Sequence, residues 1–281
     1  MKNSRSIPWP LRFRLLFALS VAALPGILAG APPLSVQSIA RSGAKVIVSF
    51  NGGTLQSGTA ITGPWADVPG SASPYSTYTL GTMRFFRTRD NLGNYSVNAV
   101  GYVNINLGAG WNLIQNPLNS GNNTVAEVLP TVPEHTRIMK QMISGVILFE
   151  ISNDYDQGSW RDPSMVFKPG EGVALYLPSP GNTTVTFVGE VGQGDRSINF
   201  SAGFNLIGSI VPQAGRLVSD LGYPVVHGTT IYTYSPGVGY TVYDYTSLFG
   251  WIPHEPVLTV GQAFWSHQPS AGAWTRQFII K

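Results

Sequence analysis

The chain of 281 residues has no cysteine, so it holds no disulfide, no thiolate metal site and no cysteine nucleophile. Charge is scarce: Asp, Glu, Lys and Arg make up 11%, against roughly 25% in an ordinary soluble domain. There are only four histidines, His135, His227, His254 and His267, and none has a His or Cys four positions on. His254-Glu255 opens like a zinc-protease helix, but Pro256 follows and no second histidine completes the pattern. No Gly-x-Ser-x-Gly elbow, phosphate-cradling glycine loop or dinucleotide fingerprint occurs. Carboxylates such as Asp162, Glu171, Asp220 and Glu255 could serve a glycoside hydrolase, but their spacing places no pair face to face. These absences lead to the expectation of a non-enzymatic protein with no catalytic residues and no cofactor.

Long apolar runs are also missing, with one exception. Lys2, Arg5, Arg12 and Arg14 precede the apolar stretch Leu15 to Ala31, a basic start and a short apolar core ending in small residues. That is the pattern of an export signal. The stretch contains Pro25 and is shorter than the roughly 20 residues a spanning helix needs, so no membrane span is expected once residues 1–31 are removed. The expected address is secreted, extracellular or cell-surface, in a Gram-negative bacterium. The leader also accounts for the basic balance. The chain has 17 Lys+Arg against 14 Asp+Glu; residues 1–31 hold four of the basic residues and no acidic one, leaving 13 against 14. Without a basic patch, a nucleic-acid partner is excluded.

Glycine (32) and proline (21) are plentiful, and 43% of residues are hydrophobic and 11% aromatic. That much apolar material excludes a disordered chain and fits many short strands joined by tight turns. The strands are written twice. Asn104 to Ile114 reads NINLGAGWNLI and Ser197 to Ile207 reads SINFSAGFNLI, seven of eleven positions identical, with Trp111 opposite Phe204. Co-linear matches continue through Thr124–Leu129 with Arg216–Leu221, each long enough for two helical turns, and through Phe167–Val173 with Leu258–Phe264. A period of about 90 residues is too long for a solenoid turn, so the reading is two homologous domains or two halves of one pseudo-symmetric domain. The expected organisation is a mainly β protein: leader 1–31, small β unit 32–98, β repeat 1 over 99–191 and β repeat 2 over 192–281. Each repeat should be sandwich- or barrel-like with one short helix, and Trp111 is expected in a core.

The Gly-Trp-Asn-Leu-Ile and Gly-Phe-Asn-Leu-Ile openings resemble the tandem modules of large secreted bacterial proteins, over about residues 100–281. Residues 53–89, with Gly63-Pro-Trp65, Asp67-Val-Pro69 and Phe85-Phe-Arg-Thr-Arg89, resemble a short unit loosely like half of a fibronectin type III domain. The resemblance implies fold and export, and assigns no chemistry.

Two groups of residues stand out as candidate sites. Asn153-Asp154-Tyr-Asp156-Gln-Gly158 alternates oxygen ligands ahead of a glycine, which reads either as a calcium loop with Asp154 and Asp156 as ligands or as a polar hairpin turn. The corresponding Tyr234 to Tyr240 carries no carboxylate, which favours the turn. Aromatics crowd the second repeat: Tyr240, Tyr243, Tyr245, Trp251 and Trp265 are the candidate ligand-binding residues, either as a surface that stacks on sugars or as core. For the stretch after Tyr240, a charge left unpaired in a core is costly, so Asp244 is expected at the surface with Tyr243 and Tyr245 turned inward. The expected function is an exported surface or extracellular protein acting by binding or structure, in adhesion, matrix or envelope. Its expected partner is a polysaccharide or a surface protein.

Overall fold

The structure, a computed structural model, describes residues 33–141, 149–179 and 182–280. The expected leader, 1–31, lies outside the described residues. Among those described, the protein is mainly β, in several sheets with no closed barrel, and no helix is long and apolar enough to cross a membrane.

The chain begins with β1 (Val36–Ser42), β2 (Lys45–Phe50), β3 (Thr54–Gly58), β4 (Ala66–Asp67), β5 (Tyr75–Tyr78) and β6 (Met83–Arg89). Alternation in Lys45-Val-Ile-Val-Ser-Phe50 buries Val46, Val48 and Phe50, the period-two pattern of a strand with one face in a core. β1, β2 and β5 form one sheet, which packs on Leu55, Phe86 and Tyr102.

Next come β7 (Val100–Leu107), β8 (Gly110–Gln115), α1 (Val125–Val128), β9 (Thr136–Gln141), β10 (Phe149–Asp156), β11 (Ser159–Trp160), β12 (Gly172–Leu177) and β13 (Thr183–Glu190). β7 takes β13 on one edge and β6 on the other, giving the five-stranded sheet β13-β7-β6-β3-β4. The boundary expected at residue 98 therefore runs through a continuous sheet. A second sheet, β11-β10-β9-β12-β8, covers the core of Ile114, Ile138, Phe167, Val173, Leu175 and Phe187.

The last stretch holds β14 (Gly194–Phe200), β15 (Gly203–Gly208), β16 (Gly215–Arg216), β17 (Thr230–Ser235), β18 (Gly239–Thr246), β19 (Gly250–Ile252), β20 (Val257–Leu258), β21 (Ala263–Gln268) and β22 (Gly272–Phe278). β14 pairs with β22 as β7 pairs with β13, and the sheet β15-β21-β17-β18-β19 has the strand order of β8-β12-β9-β10-β11. One expectation fails here: no helix forms over Arg216–Leu221. Arg216 joins a two-residue ladder with Val257, and the Glu255 carboxylate accepts the N–H groups of Val218 (2.5 Å) and Ser219 (2.7 Å), which holds the segment as a turn.

The Gly-x-Asn-Leu-Ile motif has the same job at both places. Gly110 (φ 85°) and Gly203 (φ 88°) take the left-handed conformation that opens β8 and β15. The buried Asn112 amide donates to the carbonyls of Gly108 (2.8 Å) and Gly110 (3.1 Å) and accepts the Gly108 N–H (3.2 Å). Asn205 repeats all three bonds with Ser201 and Gly203. Leu113 and Leu206 then face the layer between the two sheets, while Ile114 and Ile207 face their own cores.

That layer is built from Leu113, Ala174, Leu206, Ala263 and Trp265. Its backbone contacts come in matched pairs. The Gln115 N–H donates to Gly261 (2.8 Å) and the Gly208 N–H to Gly170 (3.0 Å), while Ile114 bridges Gln262 and Ile207 bridges Glu171. Each pair connects positions that the sequence register of 93 or 91 residues makes equivalent. Gln141 adds a clamp, donating to the Phe204 carbonyl (2.7 Å) and accepting the Leu206 N–H (2.9 Å).

Candidate functional site

Directly paired residues on neighbouring strands point to the same side of a sheet. Trp111 pairs with Tyr176, Tyr176 with Arg137, and Arg137 with Asp154, so β8, β12, β9 and β10 present one row across the sheet. At about 4.8 Å per strand the row is about 14 Å long. Trp111 and Tyr176 are each 38% exposed and meet edge to face, centroids 5.3 Å apart. Arg137 Nε donates to Asp154 Oδ1 at 2.5 Å, and Arg161 pairs with the other oxygen of Asp154. The bond to Asp154 raises the Arg137 pKa above its ordinary value, so the guanidinium stays charged. His135, in the left-handed conformation (φ 63°), bonds Asp156 at 2.8 Å. Trp111, Tyr176, Arg137, Asp154, His135 and Asp156 line an open hollow of about 350 Å³.

Asp154 and Asp156, the residues of the calcium-loop alternative, are both engaged by side chains. Both Asp154 oxygens face guanidinium groups, and Asp156 bonds His135. The chain turns at Gln157 and Gly158, whose N–H groups donate to the Glu134 carboxylate. Among the described residues no group of three His, Cys, Asp or Glu side chains could hold a metal.

Trp111 also forms the wall of a second, apolar cleft between the sheets β11-β10-β9-β12-β8 and β15-β21-β17-β18-β19, about 270 Å³ in volume. Leu113, Met139 and Ala174 line it from one sheet, and Tyr234, Tyr240 and Trp265 from the other. The cleft exists because the sheets carry unequal side chains at matching places. Ala174 pairs with Leu113 where Trp265 pairs with Leu206, so a methyl on one sheet and an indole on the other line the same cleft. Tyr240 is 54% exposed as a residue, yet burial raises its hydroxyl pKa; the ring flank is open while the hydroxyl end turns toward Trp265.

No family model, curated protein or solved structure matches this chain.

The five aromatic residues singled out in the sequence do not converge. Tyr240 and Trp265 reach the inter-sheet cleft. Tyr243 and Trp251 turn the other way and pack on the core of Phe264 and Trp274, and Tyr245 lies edge to face on Trp251 at 5.3 Å. Strand alternation separates them: Tyr240 shares a side of β18 with Val242 and Asp244, and Tyr243 and Tyr245 share the opposite one. Asp244 is exposed and Tyr243 half-buried, as the charge argument requires.

Tyr176 and Arg137 were not singled out, and Trp111, expected in a core, is instead 38% exposed on the outward side of β8. The signal for Tyr176 was present: in Val173-Ala-Leu-Tyr-Leu177 the core side takes Val173, Leu175 and Leu177, which leaves Ala174 and Tyr176 for the opposite face. The second sheet has a comparable row, Phe204–His267–Thr230–Asp244, with rings 4.9 Å apart and Thr230 donating to Asp244 at 2.7 Å.

Proposed function

We propose that this chain is an exported, non-enzymatic protein that acts by binding. It is built as two copies of one β module behind an N-terminal β unit, and its ligand surface lies where the modules meet, around Trp111. The observation that carries the binding reading is the partly exposed Trp111, shared between an apolar cleft lined from both sheets and a polar hollow. An exposed aromatic cluster beside fixed polar groups is the general make-up of a recognition site. Against catalysis, the charged groups around it are committed to one another: Asp154 to two arginines and Asp156 to His135. The matched strand orders and paired backbone bonds support the two-copy organisation, and the basic-apolar pattern of residues 1–31 supports export.

Two measurements test this reading. A fusion of residues 1–40 to a reporter active only outside the cytoplasm should give signal, and silence would contradict export. The folded protein should enhance the fluorescence of anilinonaphthalene sulfonate, and Ala174→Leu, which narrows the cleft, should reduce it. No enhancement, or enhancement indifferent to Ala174→Leu, would contradict a ligand-accessible cleft.

A further inference from the structure

We propose that the row Trp111–Tyr176–Arg137–Asp154 is a platform for an uncharged saccharide chain, an assignment that rests on the binding reading above. A sugar ring has an apolar C–H face and a rim of hydroxyls, so it needs a ring to lie against and fixed polar groups at the side. Both are present in register. Trp111 and Tyr176 stand half-open at 38% each on adjacent strands, tilted 61° to one another, and offer two apolar faces to one ligand. The next place along the row is Arg137, whose Nε is pinned by Asp154 while its side chain remains 52% exposed. A guanidinium held by one edge presents its other N–H groups in a fixed direction, which suits vicinal hydroxyls. His135 and Asp156, 80% and 52% exposed, border the same hollow and add donors and acceptors at its rim.

Charge selects among sugars. Arg137 and Arg161 are balanced by Asp154 and Asp156, so the row has no surplus of positive charge with which to hold a polyanion. The length of the row, about 14 Å at ordinary strand spacing, suits more than one ring of a chain rather than a monosaccharide. A related pattern on the second sheet, two rings followed by a hydroxyl donor and an aspartate, places a comparable arrangement there with Phe204 and His267 as the rings.

Affinity electrophoresis through gels containing neutral polysaccharides of glucose, galactose or mannose tests the assignment. The wild-type protein should be retarded by at least one of them. Tyr176→Ala, which touches the hollow but not the cleft, should weaken retardation at least about tenfold with an unchanged melting midpoint. Trp111→Ala should do the same, with Trp111→Phe restoring part of it. Phe249→Ala, at a ring that is 75% exposed and outside the row, should change nothing. Should Trp111→Ala lose its fold, Tyr176→Ala and Trp111→Phe decide. Absence of retardation in every neutral gel, retardation only by a sulfated polymer, or retardation indifferent to Tyr176→Ala would each overturn the assignment. Dye uptake by the cleft alongside any of these results would leave the binding reading standing and remove only the saccharide.

Discussion

Single residues set the two extremes of this molecule. Trp274 is fully buried, and its indole N–H donates to the Leu221 carbonyl at 3.0 Å. Trp111 is 38% exposed. Trp274→Ala should therefore cost about 3–5 kcal/mol, while Trp111→Ala should cost no more than about 1 kcal/mol, read from urea unfolding midpoints. From the sequence, Trp111 was expected in a core, as a large aromatic matching Phe204 in the duplicated segment. An aromatic at matching positions can equally mean a shared outward row, and only pairing across strands separates the two meanings. Tyr223 offers a different test. It lies in the second core, donating to Ser266 (2.8 Å) and accepting from Gln268 (3.0 Å), and burial pushes its hydroxyl up to about 12. An unfolded tyrosine ionises near 10. The preference for the folded state is complete below that value and is lost as pH rises toward the folded one. The stability advantage of wild type over Tyr223→Phe should thus shrink by about 2–3 kcal/mol between pH 10 and 12, measured by unfolding at each pH.

At the scale of elements, the most legible feature was the doubled Gly-x-Asn-Leu-Ile. Its asparagine is buried at both sites and closes the turn before the strand with three bonds. Asn112→Ala and Asn205→Ala should each cost about 1–3 kcal/mol and by similar amounts, since each leaves buried backbone groups without their partner. A loss at one site alone would show that the two turns are not equivalent. Less legible was the segment Arg216–Leu221. Its apolar spacing matched Thr124–Leu129, which does form a helical turn, but a strand partner at Val257 and the Glu255 carboxylate decide its shape from about 40 residues away. Spacing within a segment holds no information about such distant partners. The same limit explains the aromatic candidates of β18: alternation correctly turned Tyr243 inward, yet nothing local shows that Tyr240 shares a cleft with Trp111.

At the scale of the whole molecule, the sequence divided the chain at residues 98 and 191, and the structure binds across both divisions. β6 continues the sheet of β7, and a core of Phe85, Val103, Leu118 and Val191 reaches Val260 and Phe278 near the far end of the chain. The joint between residues 99–191 and 192–281 is equally close. A Cβ on Gly170 would lie 2.2 Å from Ile210, and one on Gly261 would lie 2.1 Å from Ile105, both at φ 83°. Side chains at these two positions would strain the backbone and push the two segments apart where they meet. On the proposed function, the described residues from 33 to 280 act as one clasped body whose binding surface exists only while its parts are held together. Scanning calorimetry of the full chain, wild type beside Gly261→Ala, tests this most directly. One unfolding transition, moved as a whole to lower temperature by Gly261→Ala, is the predicted result. Two separable transitions, with only one of them moved, would contradict it.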